Sequence, residues 1–393
     1  IDKNRDQFKK SLFGEQSYEV VRAADGRRSM LHLLPTTTLL NTLGVPTCPW
    51  HTLPIFAETS NITGPFDHDA IQTLAKFPLF VAEKAYDYAS PGFAEDKLAA
   101  LAKELRAVNP AMKLVFYYNA NLDLTDYELY NITAQHATNG WLRNSSGDVW
   151  IATIDSGTGA RPPFPYNGNS LGGVPVYNFE EQGVRDAWVE ECFTMQKRGY
   201  DGCLVDRWTR LPFRGNKLPP GFTKAAVAKW SAARDLATST LAKRARAENV
   251  YLVGMGNQTD ANSDPGYGNG VRSGKSLTKQ LSLARAGLGL LASFIPTSED
   301  KPAGTPGSWI NQMASFLIGA GEGHYFGAGS WTCNAIERRG VVWHKEYDMP
   351  LGKPLANGVK LGSLWTRSFA YGTNVSFDVS TGLGSIAWGA FPN

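Results

Sequence analysis

From Pro54 onward, short apolar runs rich in β-branched and aromatic residues alternate with longer stretches of helical periodicity. That alternation is the pattern of βα units, which build a parallel sheet covered by helices. The first run is Leu79-Phe80-Val81-Ala82, ending in Glu83-Lys84; Leu98, Leu101, Leu105 and Val108 then recur at helical spacing. The second run, Lys113 to Tyr118, ends in Asn119 and Asn121. After a loop-rich stretch from Trp141 to Tyr177, a helix over 182–200 leads straight into Gly202-Cys203-Leu204-Val205-Asp206. Further units follow, with strands over 250–254 and 287–295, helices over 223–249, 277–286 and 308–320, and a last strand-like piece at His324-Tyr325-Phe326.

About six such strands in 393 residues predict an α/β fold, a (β/α)8 TIM-type barrel, which needs about 250 residues and tolerates insertions. Residues 1–45 read as an N-terminal extension with a short helix, and 46–345 as the barrel. Over 346–393 short alternating pieces separated by Gly predict a small β appendage packed on the barrel.

Composition narrows the function classes. Hydrophobic content of 42% with 19% charged residues is that of a globular protein. The net charge of +3 is small and the basic residues are scattered, which excludes the concentrated basic stripe of a nucleic-acid binder. No apolar run approaches the roughly 20 residues of a membrane span. Four cysteines without CxxC spacing argue against a zinc site; Cys192 and Cys203 fall on a core helix and strand, where free thiols are the expected reading. A start at Ile1 is what a removed signal peptide would leave, and sequons at Asn61, Asn131, Asn144, Asn257 and Asn374 mildly favour a secreted or vesicular protein. An excess of Trp (11) and Tyr (15) mostly builds core, with a subset free to stack on sugar rings.

Barrel enzymes carry their chemistry at the C-terminal ends of strands and on the loops that follow. That rule selects Asp206 first, then Glu83, with Glu299 and Glu322 as further candidate carboxylates. The bland alternatives are ion pairs, of Asp206 with Arg207 or Arg210 and of Glu83 with Lys84. Tyr118, Asn119, Asn121, Arg207, Trp208, Asn257, His324, Tyr325 and Trp331 are candidates to shape sugar subsites; for His324 a structural role is an equal alternative. Two carboxylates across a cleft are the minimal machine for glycoside hydrolysis, one protonating the leaving oxygen and the other attacking or activating water. No G-x-S-x-G elbow, complete phosphate-binding loop or H-E-x-x-H zinc motif is present. His68 between Asp67 and Asp69 reads as a turn opening a helix rather than a metal ligand. No metal or cofactor is expected.

Several stretches add a resemblance: Thr63-Gly64-Pro65-Phe66 followed by Phe80 to Lys84, Val115 to Asn119, Gly199-Tyr200-Asp201-Gly202 through Asp206, Phe316 to Gly319, and Tyr347-Asp348-Met349-Pro350-Leu351-Gly352-Lys353-Pro354. With them the chain resembles glycoside-hydrolase barrels of the hypothetical glycosyl hydrolase type, distantly similar to endo-α-1,4-polygalactosaminidases. The resemblance implies hydrolysis of a poly- or oligosaccharide with Asp206 as one catalytic carboxylate. The second carboxylate stays open among Glu83, Glu299 and Glu322. A carbohydrate-binding pseudoenzyme with the same barrel, or a polysaccharide lyase, are the alternatives.

Overall fold

The computed structural model describes residues 20–22, 28–30, 50–84, 86–135, 139–152, 174–206, 208, 218, 221–254, 277–278, 280–281, 284, 290–294, 308–329 and 343–392. In chain order the strands are β1 (Val20–Arg22), β2 (Arg28–Met30), β3 (Ile55–Thr59), β4 (Leu79–Ala82), β5 (Lys113–Asn119), β6 (Ile151–Ala152), β7 (Val174–Pro175), β8 (Gly202–Asp206), β9 (Tyr251–Gly254), β10 (Leu290–Phe294) and β11 (His324–Gly329). Between them run helices α1 (His68–Leu74), α2 (Ala94–Val108), α3 (Glu128–Gln135), α4 (Gln182–Lys197), α5 (Lys224–Ala247) and α6 (Trp309–Gly319). Of the expected N-terminal extension, β1 and β2 form an antiparallel pair; the short helix expected there lies outside the described residues.

Seven strands form one parallel sheet in the order β10-β11-β3-β4-β5-β8-β9. The chain order is cyclic: the last strand, β11, lies beside the first, β3, with Phe326 opposite Ile55 and Gly329 opposite Glu58. A last strand hydrogen-bonded in parallel to the first is what barrel closure requires. The described residues thus hold seven parallel strands curled as in a TIM-type barrel, flanked by helices. One of these strands, β3, precedes the first strand expected from the sequence.

Ring contacts and the two-residue strand period assign the faces. Phe326 meets Phe316 of α6 at 5.5 Å between ring centroids, so it faces the helices and Gly327 faces the interior. A Cβ at Gly327 would come within 2.2 Å of the Phe56 ring, which occupies the interior there and turns Glu58, two residues on, inward as well. On β5, Phe116 and Tyr118 stack at 5.2 Å and Tyr118 meets Trp188 of α4 at 5.1 Å. These two therefore face the helices, leaving Tyr117 and Asn119 to the interior.

The Asp-Gly step ahead of β8 is architectural. Asp201 accepts hydrogen bonds from Arg106 Nη2 at 2.7 Å and Leu114 N at 2.8 Å, tying the start of β8 to α2 and β5. A Cβ at Gly202 would lie 1.8 Å from the Tyr251 carbonyl oxygen, so only glycine lets β9 pair at this point. Cys192 of α4 and Cys203 of β8 form a disulfide with Cα atoms 5.8 Å apart, where free thiols were expected. The one-turn reach from the buried face of α4 to the helix-facing side of β8 brings them together. Reducing it, or replacing both cysteines with Ser, is expected to lower the unfolding free energy by about 3 kcal/mol for a loop of this size, read as a fall in the urea midpoint.

After a 3-10 turn at Lys345–Asp348, the C-terminal strands β12 (Val359–Leu361), β13 (Leu364–Ser368), β14 (Asn374–Asp378) and β15 (Leu383–Ala387) form an antiparallel sheet in sequential order. It packs on α6. Arg367 of β13 is buried and donates from Nη1 to the carbonyls of Leu317, Ile318 and Ala320 at 2.9, 3.3 and 2.5 Å, and from Nε to Ala356 O at 2.8 Å. These are the orphan carbonyls of a helix C-terminus, where a cation also suits the helix dipole. Burial lowers the guanidinium to about 10, which still leaves it charged at neutral pH. Arg367→Met strands those buried acceptors, so a loss of about 3 kcal/mol or more is expected in denaturant titrations.

Candidate active site

The C-terminal ends of β3, β4, β5 and β8 bring Glu58, Glu83, Lys84, Tyr117, Asn119 and Asp206 to one end of the barrel interior. Asp206, the last residue of β8, is half-buried and stands in register opposite Asn119. Its Oδ2 accepts from the Tyr117 hydroxyl at 2.8 Å and from Asn119 Nδ2 at 3.0 Å. Asn119 is itself fixed, because its Oδ1 accepts from the backbone N–H groups of Asn121 and Leu122 at 2.9 and 3.0 Å. The turn after β5 thus sets the amide, and the amide helps set the carboxylate.

Glu83 follows β4 directly and is fully buried. Its Oε2 accepts from Lys84 Nζ at 2.6 Å and from Lys84 N at 3.1 Å, while Oε1 has no hydrogen-bond partner among the described residues. Burial is the main cause raising the Glu83 carboxyl above its ordinary value; Lys84 opposes this, and the Asp206 charge adds to it. The Lys84 ammonium also stands 4.1 Å from the centroid of the Tyr117 ring. Among the described residues, no group of three or more His, Cys, Asp or Glu side chains is placed to hold a metal ion.

The other sequence candidates divide by position. Asn121 is buried in the turn after β5, and its carbonyl accepts from Tyr177 N at 3.0 Å. Trp208 is buried just past Asp206, and its ring fills the space beside Gly254, where a Cβ would come within 3.1 Å of the indole. Tyr118, proposed from sequence as a sugar contact, faces the helix layer against Trp188, because strand alternation sends it to the side opposite Asn119. Glu322, His324 and Tyr325 lie at the start of β11, the end of the barrel away from Asp206. There Glu322 accepts from Trp50 Nε1 at 2.6 Å, and His324 is fully buried, two residues from the helix-facing Phe326. In the sequence Glu322 likewise precedes the strand that opens at His324, a position that lies at the opposite end of a parallel strand from its C-terminus. Arg207, Asn257, Glu299 and Trp331 lie outside the described residues.

Two members of the site were missed in the sequence. Tyr117 was passed over for its neighbour Tyr118, although counting back two residues from Asn119 selects it. Glu58 ends a short apolar run, Ile55-Phe56-Ala57, of the same form as the run that ends at Glu83.

A parallel sheet in cyclic order, with carboxylates at its C-terminal strand ends, is the architecture of the barrel enzymes. The chain belongs to the hypothetical glycosyl hydrolase family 15, whose sequence profile matches residues 106–373. By family the chain is a glycoside hydrolase. The matched span includes Tyr117, Asn119 and Asp206 and begins after Glu58 and Glu83. Among solved structures, the chain is similar to the α-galactosidase TtGalA from Thermus thermophilus, at 14% identity and a TM-score of 0.46 over 84% of this chain and 67% of that one. It is also similar to the glycoside hydrolase domain of PelA from Pseudomonas aeruginosa, at 11% identity and a TM-score of 0.41 over 72% of this chain and 96% of that one. A third is the GH36 α-galactosidase AgaA from Geobacillus stearothermophilus, at 11% identity and a TM-score of 0.41 over 83% of this chain; this chain spans 47% of that enzyme's length. No curated protein matches the chain.

Proposed function

We propose that the chain hydrolyses the glycosidic bonds of a poly- or oligosaccharide, with Asp206 as the catalytic carboxylate that attacks the sugar or activates water. The observation that carries this reading is the placement of Asp206 at the end of β8, facing the barrel interior and held through one oxygen by Tyr117 and Asn119. Glu83 is the proposed proton donor. Its raised proton affinity keeps it protonated to higher pH than an ordinary carboxyl, and the charge of Asp206 contributes to that. A carboxyl whose proton affinity burial raises, beside a second carboxylate, is a usual arrangement for acid and nucleophile on one site.

The burial of Glu83 and its ion pair with Lys84 favour a second reading, a carbohydrate-binding barrel without hydrolysis. A panel of polysaccharides assayed by released reducing ends separates the two. New reducing ends that vanish with Asp206→Asn support the enzyme; binding to a polysaccharide with no such release by the parent protein supports the second reading.

The Cys192–Cys203 disulfide supports an oxidising compartment, and with it a secreted or vesicular location. Among the described residues, no helix is long and apolar enough to cross a membrane.

A further inference from the structure

We propose that Tyr117 is the positioning residue for the catalytic carboxylate, and that the Lys84 ammonium on its ring sets how strongly it donates to Asp206. The inference rests on the reading of Asp206 as the reacting group. Tyr117, Asn119 and Asp206 form a closed triangle: Asn119 Nδ2 donates to the Tyr117 oxygen at 3.1 Å and to Asp206 Oδ2 at 3.0 Å. Because the phenol oxygen accepts from Asn119, its own proton is directed to Asp206 Oδ2, 2.8 Å away. Both bonds fall on the same carboxylate oxygen, Oδ2, which orients the group.

Burial first, and then the charges of Asp206 and Glu83, raise the Tyr117 hydroxyl well above its ordinary value. It therefore stays protonated, and remains a donor, throughout any working pH range. A cation on the face of a phenol draws electron density from the ring and makes the hydroxyl a stronger donor. Lys84 is held in that place by Glu83 Oε2. The titratable groups around this unit are Glu83 after β4, Asp206 of β8, Glu58 turned inward on β3, and Asp126 ahead of α3, whose carboxyl feels the Lys84 charge. Two donors on one oxygen restrict rotation of the Asp206 carboxylate, so Tyr117 helps hold it in the orientation that the reaction requires.

Tyr117→Phe keeps the ring and its packing and removes only the donor. The expected result is a kcat lowered about tenfold to a hundredfold with KM little changed. A readout that needs no substrate is the carboxyl-carbon NMR signal of Asp206, assigned by its loss in Asp206→Asn. Its chemical shift at fixed pH should move in Tyr117→Phe, because the hydrogen bond to Oδ2 is lost. Lys84→Met should move the Asp206 signal the same way, Lys84→Arg should restore it, and Lys84→Met should leave that signal unmoved once the Tyr117 hydroxyl is gone. An unmoved signal and an unchanged kcat in Tyr117→Phe overturn the positioning role. An equal response to Lys84→Met with and without the hydroxyl overturns the route through the ring. If Asp206→Asn still hydrolyses while the Asp206 signal answers to Tyr117→Phe, the hydrogen bond stands but the carboxylate it positions is not the catalytic one.

Discussion

Asp206→Asn is expected to lower hydrolysis by about a thousandfold or more, equivalent to about 4 kcal/mol of transition-state stabilisation. The substitution is nearly isosteric, and an amide oxygen can still accept from Tyr117 and Asn119, so the folded state should be retained. What is lost is the negative charge, which both nucleophilic attack and stabilisation of an oxocarbenium-like transition state require. The effect belongs in kcat, with KM close to that of the parent, because uncharged sugar is bound by the subsites rather than by this carboxylate. An unchanged thermal midpoint beside the lost rate would separate chemistry from misfolding. A variant that retains more than about a tenth of the parent rate would remove Asp206 from the mechanism.

The second large effect concerns stability. Glu95, Asp123, Asp126 and Glu191 are buried around the start of α3, and burial is the leading cause raising each carboxyl. Glu95 and Asp123 are pushed up to about 7 and Asp126 to about 6. Glu95 accepts from Glu128 N at 2.8 Å, capping α3, and Asp123 accepts from Trp141 Nε1 at 2.7 Å. In the unfolded chain these groups titrate near pH 4. Their folded values are raised, so the folded state holds more protons between the two values. The associated stability is complete below about pH 4 and is lost as pH rises through about 6 to 7.

Glu95, Asp123 and Asp126 each contribute on the order of 3 kcal/mol, against which the lowered Glu190 and Asp378 act weakly because they are exposed to solvent. The melting temperature should therefore fall between pH 5 and pH 8, and Asp123→Asn should flatten that slope. A protein that grows more stable over the same interval would contradict the assignment.

Much of this was legible before the structure. The run Gly202 to Asp206 declares itself by an apolar core between Gly and Asp, and barrel geometry then puts Asp206 at the mouth. Asn119 follows by the same logic. Tyr118 went astray because two adjacent tyrosines are equivalent in composition and differ only in strand phase, which a contact such as that with Trp188 reveals. Glu322 and His324 were offered from their closeness in sequence, although both stand at the start of a strand, away from the C-terminal ends that the barrel rule selects. The strand Ile55–Thr59 escaped because three apolar residues carry too little periodicity to stand out, although its pairing with β11 decides the topology. The bond between Cys192 and Cys203 was hidden for a different reason: spacing gives no distance between a helix face and the next strand.

Arg367 has a consequence for how the molecule is held shut. The carbonyls it grips belong to the end of α6, and only a few residues separate that end from β11, the strand that meets β3. The C-terminal sheet is thus a buttress at the seam where the last parallel strand of the chain meets the first. Slackening at this one guanidinium would be transmitted to the joint itself, and through β3 to the rim where Glu58 stands.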